Sequence, residues 1–97
     1  MSYTLHPEAE RDIADVLDFY REHAGIAVAE RFLSEFERVA SVLVEHPGFG
    51  TRTTSGRRTF PLKLFPYSVV YRELETSIRI LVVRHQRRKP GFGGSRR

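Results

Sequence analysis

The hydrophobic period of this sequence changes once, and that change constrains the fold more than any other feature. Between Ala9 and Val44 apolar residues recur every three or four positions; between Thr59 and Val83 they alternate or run together. The first spacing lines one face of an α-helix, the second one face of a β-strand. The N-terminal half is therefore expected to be helical and the C-terminal half a sheet. Ahead of both, Tyr3-Thr4-Leu5-His6 alternates and reads as a short strand.

The first helix is expected to start at Pro7, followed by Glu8, Glu10 and Asp12. Proline suits the first turn, where its missing N–H costs nothing, and acids complement the positive end of the helix dipole. Ala9, Ile13, Val16, Leu17 and Tyr20 form its apolar stripe, and His23-Ala24-Gly25 ends it. A second helix runs from about Ile26 to His46. Its main stripe is Ala29, Phe32, Phe36, Val39 and Leu43, widened by Val28, Leu33, Ala40 and Val44, and Pro47-Gly48 stops it. The short link at Gly25 makes the pair an antiparallel hairpin.

Phe49 to Arg58 reads as a Gly/Thr/Ser loop. Thr59 to Phe65 reads as a strand with Phe60, Leu62 and Leu64 on one face; Pro61 makes it an edge strand or a bulged one. Tyr67–Glu73 and Ser77–Arg84 are strong β runs joined by a turn at Leu74-Glu75-Thr76-Ser77, so they pair antiparallel. Continuous apolarity from Ile80 to Val83 places the last strand centrally, buried on both faces. The expected fold is α+β in the order β-α-α-β-β-β. A helical hairpin covers one face of a small, mainly antiparallel sheet. The other face must be solvated or must bind something. The length of 97 residues implies one domain, assigned to residues 1–92, with 93–97 as a flexible tail.

Charge narrows the function. Residues 1–47 carry 10 acids and 4 bases, a net of −6, and residues 48–97 carry 2 acids and 12 bases, a net of +10. Of the 16 cations, 14 are arginine, whose planar fork suits phosphate and carboxylate. A polyanion or an acidic protein is the partner such asymmetry suggests, unless the halves neutralise each other within the fold. There is no cysteine, which excludes disulfides, thiolate metal sites and cysteine nucleophiles. No metal-ligand spacing, phosphate loop or serine-nucleophile motif is present, so neither a metal nor a cofactor is expected. With no long apolar run and no signal peptide, the expected location is the cytoplasm, away from membranes.

The basic half holds the candidate site. Arg57, Arg58 and Lys63 flank the first strand of the C-terminal sheet, Arg72 ends the next, and Arg84, His85, Arg87, Arg88 and Lys89 end the last. Pairing of the last two strands sets Tyr67 and Ser68 against Arg84 and His85. Such a cluster can hold a phosphodiester, with cations stabilising a phosphorane and His or Tyr moving protons. Equally, it can be a solvated basic edge that discourages strand aggregation.

Arg58-Thr59-Phe60-Pro61, Phe65 to Arg72 and Ile78 to Gly91 resemble the C-terminal half of the RelE/ParE superfamily of bacterial toxins. The N-terminal pattern of Pro7, Ala9, Asp12 and Ile13, followed by a long Ala/Phe-rich helix and Pro47, is similar too. The resemblance implies the toxin of a type II toxin–antitoxin pair, also described as a plasmid stabilisation protein. It also implies a cognate antitoxin that is acidic and partly disordered. The RelE branch cleaves mRNA on the ribosome; on that branch the candidate catalytic residues are Lys63, His85 and Arg87. The ParE branch is not a nuclease and poisons DNA gyrase by binding. Where the RelE branch typically carries an arginine this chain has Ser68, which cannot neutralise a phosphorane. The resemblance therefore favours a non-enzymatic, ParE-like toxin. Arg57, Arg58, Arg72, Arg84, Arg88 and Lys89 are then target- or nucleic-acid-binding residues. An mRNA endoribonuclease and a non-toxic binding module of the same fold are the alternatives.

Overall fold

The computed structural model describes residues 2–87. The elements are β1 (Tyr3–Leu5), α1 (Pro7–His23), α2 (Ile26–Glu45), a 3₁₀ turn (Pro47–Phe49), β2 (Thr51–Arg52), β3 (Arg57–Pro61), β4 (Tyr67–Glu73) and β5 (Ile78–His85). The five strands lie in the order β1-β5-β4-β3-β2; β1 runs parallel to β5 and every other pair is antiparallel.

Helix α1 starts where the acids and proline place it, with an added cap: His6 Nδ1 accepts the Glu8 N–H at 3.1 Å. That satisfies one of the four amides a helix start leaves without a partner. Gly25, at φ +95°, turns the chain into α2 through a conformation costly for other residues. The apolar stripes of both helices meet one face of the sheet. Ala9, Ile13 and Val16 from α1 and Phe32, Phe36, Val39 and Leu43 from α2 join Val69, Tyr71, Ile78, Ile80 and Val83 in one core.

The apolar run in β5 has a specific cause. Val70 pairs with Val82 but Tyr71 pairs with Ile80, so Leu81 is an extra, bulged residue. The bulge switches the strand's alternation. Ile78 and Ile80 face the helices before it, and Val83 after it. Leu81 and Val82 join Val70 in a second small buried cluster. The face away from the helices is thus not simply solvated, because it has a buried apolar centre of its own.

Two expectations need correction. The segment from Phe49 to Arg58 is not all loop: Thr51 and Arg52 pair with Thr59 and Arg58, giving the sheet a fifth strand. Two residues are too few to show a period of two. The strand expected over Thr59–Phe65 runs over Arg57–Pro61 and stops at its proline, which pairs with Ser68 at the strand's end. Past that point the backbone is irregular. Leu62 turns in and is buried, while Leu64 has φ +67° and is 99% exposed, so the two do not share a face. The tail expected at 93–97 lies outside the described residues, as does the segment from Arg88 onward.

Candidate functional surface

The strand register sets four arginines on the sheet face opposite the helices. Arg57 pairs with Arg72, and Arg72 pairs with Arg79, a row across β3, β4 and β5. Thr4 of β1 continues the row, and its hydroxyl lies 3.4 Å from Arg79 Nη1. At the other end of the face Ser68 pairs with Arg84. The apolar cluster of Val70, Leu81 and Val82 lies between the two cationic ends.

The arginines are not equivalent. Arg57 is 8% exposed, so it supports the surface more than it meets a partner. Arg58 is partly exposed and also ties the turn before β2: its guanidinium donates to the Gly50 carbonyl at 2.9 Å and the Gly48 carbonyl at 3.3 Å. Arg72 and Arg84 are partly exposed on that face. Arg88 and Lys89 lie outside the described residues. Arg79 was missed by sequence reasoning. In sequence it is one polar residue in an apolar strand, and only the register aligns it with Arg72 and Arg57.

Arg58 belongs to a turn with its own lock. Tyr71 is fully buried; its hydroxyl donates to the Pro47 carbonyl at 2.5 Å and accepts the Gly50 N–H at 3.0 Å. Burial raises the Tyr71 pKa above the ordinary phenol value, so the group stays a donor. A Cβ at Gly50 would lie 2.6 Å from that hydroxyl, which fixes glycine there. The turn holds Phe49 out, half exposed and stacked on His46 at 4.4 Å.

The candidate catalytic residues lie at one end of the sheet, two at the end of β5 and one in the β3–β4 hairpin bonded to it. His85 and Arg87 meet, since His85 Nδ1 accepts the Arg87 N–H at 3.2 Å. The imidazole, however, lies on the helix side of the sheet, edge-on to Tyr67 at 5.3 Å. It lines a cavity of about 330 Å³ whose other walls include Asp12, Asp15 and Phe19. Carboxylates beside the imidazole repel a phosphodiester. Asp12 Oδ2 also accepts the Val83 N–H at 3.1 Å, capping the edge of β5 where β1 has ended. In sequence Asp12 looks like a helix-start acid, and nothing there signals this contact.

Lys63 sits in the β3–β4 hairpin, whose Pro66 carbonyl accepts the Gln86 N–H at 2.9 Å. Its backbone N–H donates to Glu35 Oε2 of α2 at 2.6 Å, and Glu35 holds Arg38 through two further bonds of 2.7 and 2.8 Å. The Arg38 bond holds the Glu35 carboxyl below its ordinary pKa, against the opposing effect of burial. Among the described residues no three acidic or imidazole side chains gather where they could hold a metal. No helix among them is long and apolar enough to cross a membrane.

On the helix side, Tyr3, Leu5, Ile13, Leu17, Leu33 and Phe36 line a mainly apolar groove of about 360 Å³ between the two helices and β1, with Glu10 and Glu37 also on its walls.

Comparison with known proteins agrees with this architecture. The model of the family described as "ParE toxin of type II toxin-antitoxin system, parDE" matches residues 3–90. The chain belongs to the ParE toxin family. A solved structure titled "Chromosomal ParDE TA system from P. aeruginosa" superposes with a TM-score of 0.76 at 25% identity, covering 88% of this chain and 95% of that one. No curated protein gives a significant match. The resemblance to RelE/ParE toxins is thus borne out on its ParE side. The α+β architecture is that of a ParE-family toxin, with one more strand than the sequence suggested.

Proposed function

We propose that this ParE-family chain is the toxin of a type II toxin–antitoxin pair and acts by binding and poisoning DNA gyrase, not by cutting RNA. The observation that carries the reading is the position of His85. It faces Asp12 and Asp15 across the α1–β5 cavity, on the sheet side opposite the arginine row. A ribonuclease needs its basic groups converged on one phosphate, in a positive field. Ser68 opposite Arg84, where the nuclease branch would set a second arginine, supports the same conclusion.

The cognate antitoxin is an acidic, partly disordered protein. Its apolar residues fill the groove lined by Leu17, Leu33 and Phe36, and its carboxylates meet Arg72 and Arg79. Charge speeds the encounter and apolar burial holds the complex.

The test is induction of the chain in cells without its antitoxin. DNA supercoiling and double-strand breakage are followed beside transcript integrity. Growth arrest with broken or relaxed DNA and intact transcripts is the expected result. Rapid transcript cleavage with intact DNA overturns the reading in favour of a ribonuclease. Unchanged growth overturns it in favour of a binding module.

A further inference from the structure

The hairpin between β3 and β4 is tied down on every side of one residue. The Leu62 N–H donates to the Tyr67 carbonyl at 2.9 Å and the Lys63 N–H to Glu35 at 2.6 Å. Phe65 packs edge-on against Tyr20 and Phe32 at 5.6 and 5.5 Å. The Pro66 carbonyl accepts the Gln86 N–H at 2.9 Å. Between these anchors Leu64 is left in the left-handed region at φ +67°, with its side chain 99% exposed. Leucine is a poor choice there on two counts. Its Cβ strains the backbone, and its apolar side chain stands in water. Glycine or asparagine would relieve both. The leucine therefore does nothing for the fold, and strain of this kind is a mark of a functional site.

We propose that Leu64 is the anchor by which the chain grips the protein it acts on. The surface is an apolar knob on a rigid stem. It fits a folded partner that offers a preformed apolar pocket with carboxylates at its rim. The shape argues for this partner. A knob needs a hole, whereas a flexible antitoxin segment needs a groove, which the chain provides between α1, α2 and β1. Charge argues the same way. Lys63 is exposed beside the knob, and the turn of Gln86 and Arg87 is bonded to its stem. Residues 61–68 and 84–87 contain no acid of their own, and the Glu35 carboxylate at the Lys63 N–H is paired with Arg38. A stem already ordered in the free protein spares the ordering cost on binding.

The inference rests on the gyrase-poisoning reading and is tested so that the two can fail separately. The full chain is compared with Leu64→Asn, Leu64→Gly and Leu64→Met in growth arrest, in inhibition of purified DNA gyrase and in thermal melting. Asn and Gly accept the left-handed backbone, and Met keeps an apolar knob. The Asn and Gly variants are expected to melt no lower than wild type and to need about ten- to a hundredfold more protein for inhibition, the loss for one fully buried leucine. The Met variant retains activity. Wild-type potency of the Asn and Gly variants overturns the anchor alone. A wild-type chain that arrests growth without touching gyrase overturns the named target, and the growth-arrest dose then decides the anchor. A wild-type chain without effect on growth overturns both. A wild-type chain that self-associates while the Asn variant stays monomeric assigns the knob to a second copy and overturns this proposal.

Discussion

Replacing Tyr71 by Phe tests whether one hydroxyl holds the turn between α2 and β2. The ring is fully buried, and its oxygen serves the Pro47 carbonyl at 2.5 Å and the Gly50 N–H at 3.0 Å. Phenylalanine keeps the ring and leaves almost no void, so the loss is one of hydrogen bonding. Gly50 is buried, and its stranded N–H costs about 1–2 kcal/mol. Pro47 is only half-buried, so its carbonyl recovers water and costs about 0.5–1 kcal/mol. The sum is about 1.5–3 kcal/mol, against about 5–15 kcal/mol for a whole domain. In urea denaturation the midpoint should fall with an unchanged slope, and the melting temperature should drop by about 6–24 °C. The variant also removes a pH dependence. The Tyr71 pKa is raised in the folded state, chiefly by burial. The contribution is thus complete below the unfolded value of about 10 and is lost as the pH rises through the folded one. Tyr71→Phe should flatten that part of the alkaline limb. A loss under about 0.5 kcal/mol would refute the reasoning, because the turn would then be held by Arg58 and not by the phenol.

Gly50→Ala should cost at least about 2 kcal/mol in the same denaturation assay, since its Cβ would fall 2.6 Å from the Tyr71 oxygen and 2.8 Å from its ring. Wild-type stability there would mean that the turn can move. Glu35→Gln should cost about 1–2 kcal/mol at neutral pH by weakening charged bonds to Arg38 and to the Lys63 N–H. Because the folded Glu35 pKa is lowered, first by the Arg38 bond, its contribution is present above the unfolded value of about 4.3. It is lost as the pH falls through the folded value. Stability measured from pH 6 to pH 2 should therefore fall less steeply for the Gln variant. Equal slopes would contradict the assignment.

Both helices, β4 and β5 were legible because each spans enough residues to display a period. Phe32, Phe36, Val39 and Leu43 announce a buried stripe, and Tyr67–Glu73 matches the observed strand end to end. The pairing of Ser68 with Arg84 followed from the short turn alone. What escaped depends on distance in the chain or on departures from regularity. Strand β2 has two residues and exists only through its pairing with Arg58 and Thr59. Leu64 continued an alternation in sequence that the backbone had already abandoned at Pro61. The bulge at Leu81 was hidden inside a run that reads the same with or without it. Arg58 looked like a surface cation because carbonyl partners at Gly48 and Gly50 leave no trace in composition.

Two places on the surface run against local stability. Like charges opposite one another on a sheet destabilise it, yet the register sets Arg57, Arg72 and Arg79 side by side. Leu64 adds a strained, solvated apolar group at the hairpin tip. Local rules and global fold disagree at these places, and such disagreements mark function more often than error. The proposed binding role uses both places, the cations for an acidic segment and Leu64 for a pocket, while the one imidazole in the candidate trio is walled by Asp12 and Asp15. A phosphate held by His85 would lie beside Asp12 and Asp15 on the helix side of β5, the side to which the alternation through Val83 and the Leu81 bulge commits the imidazole.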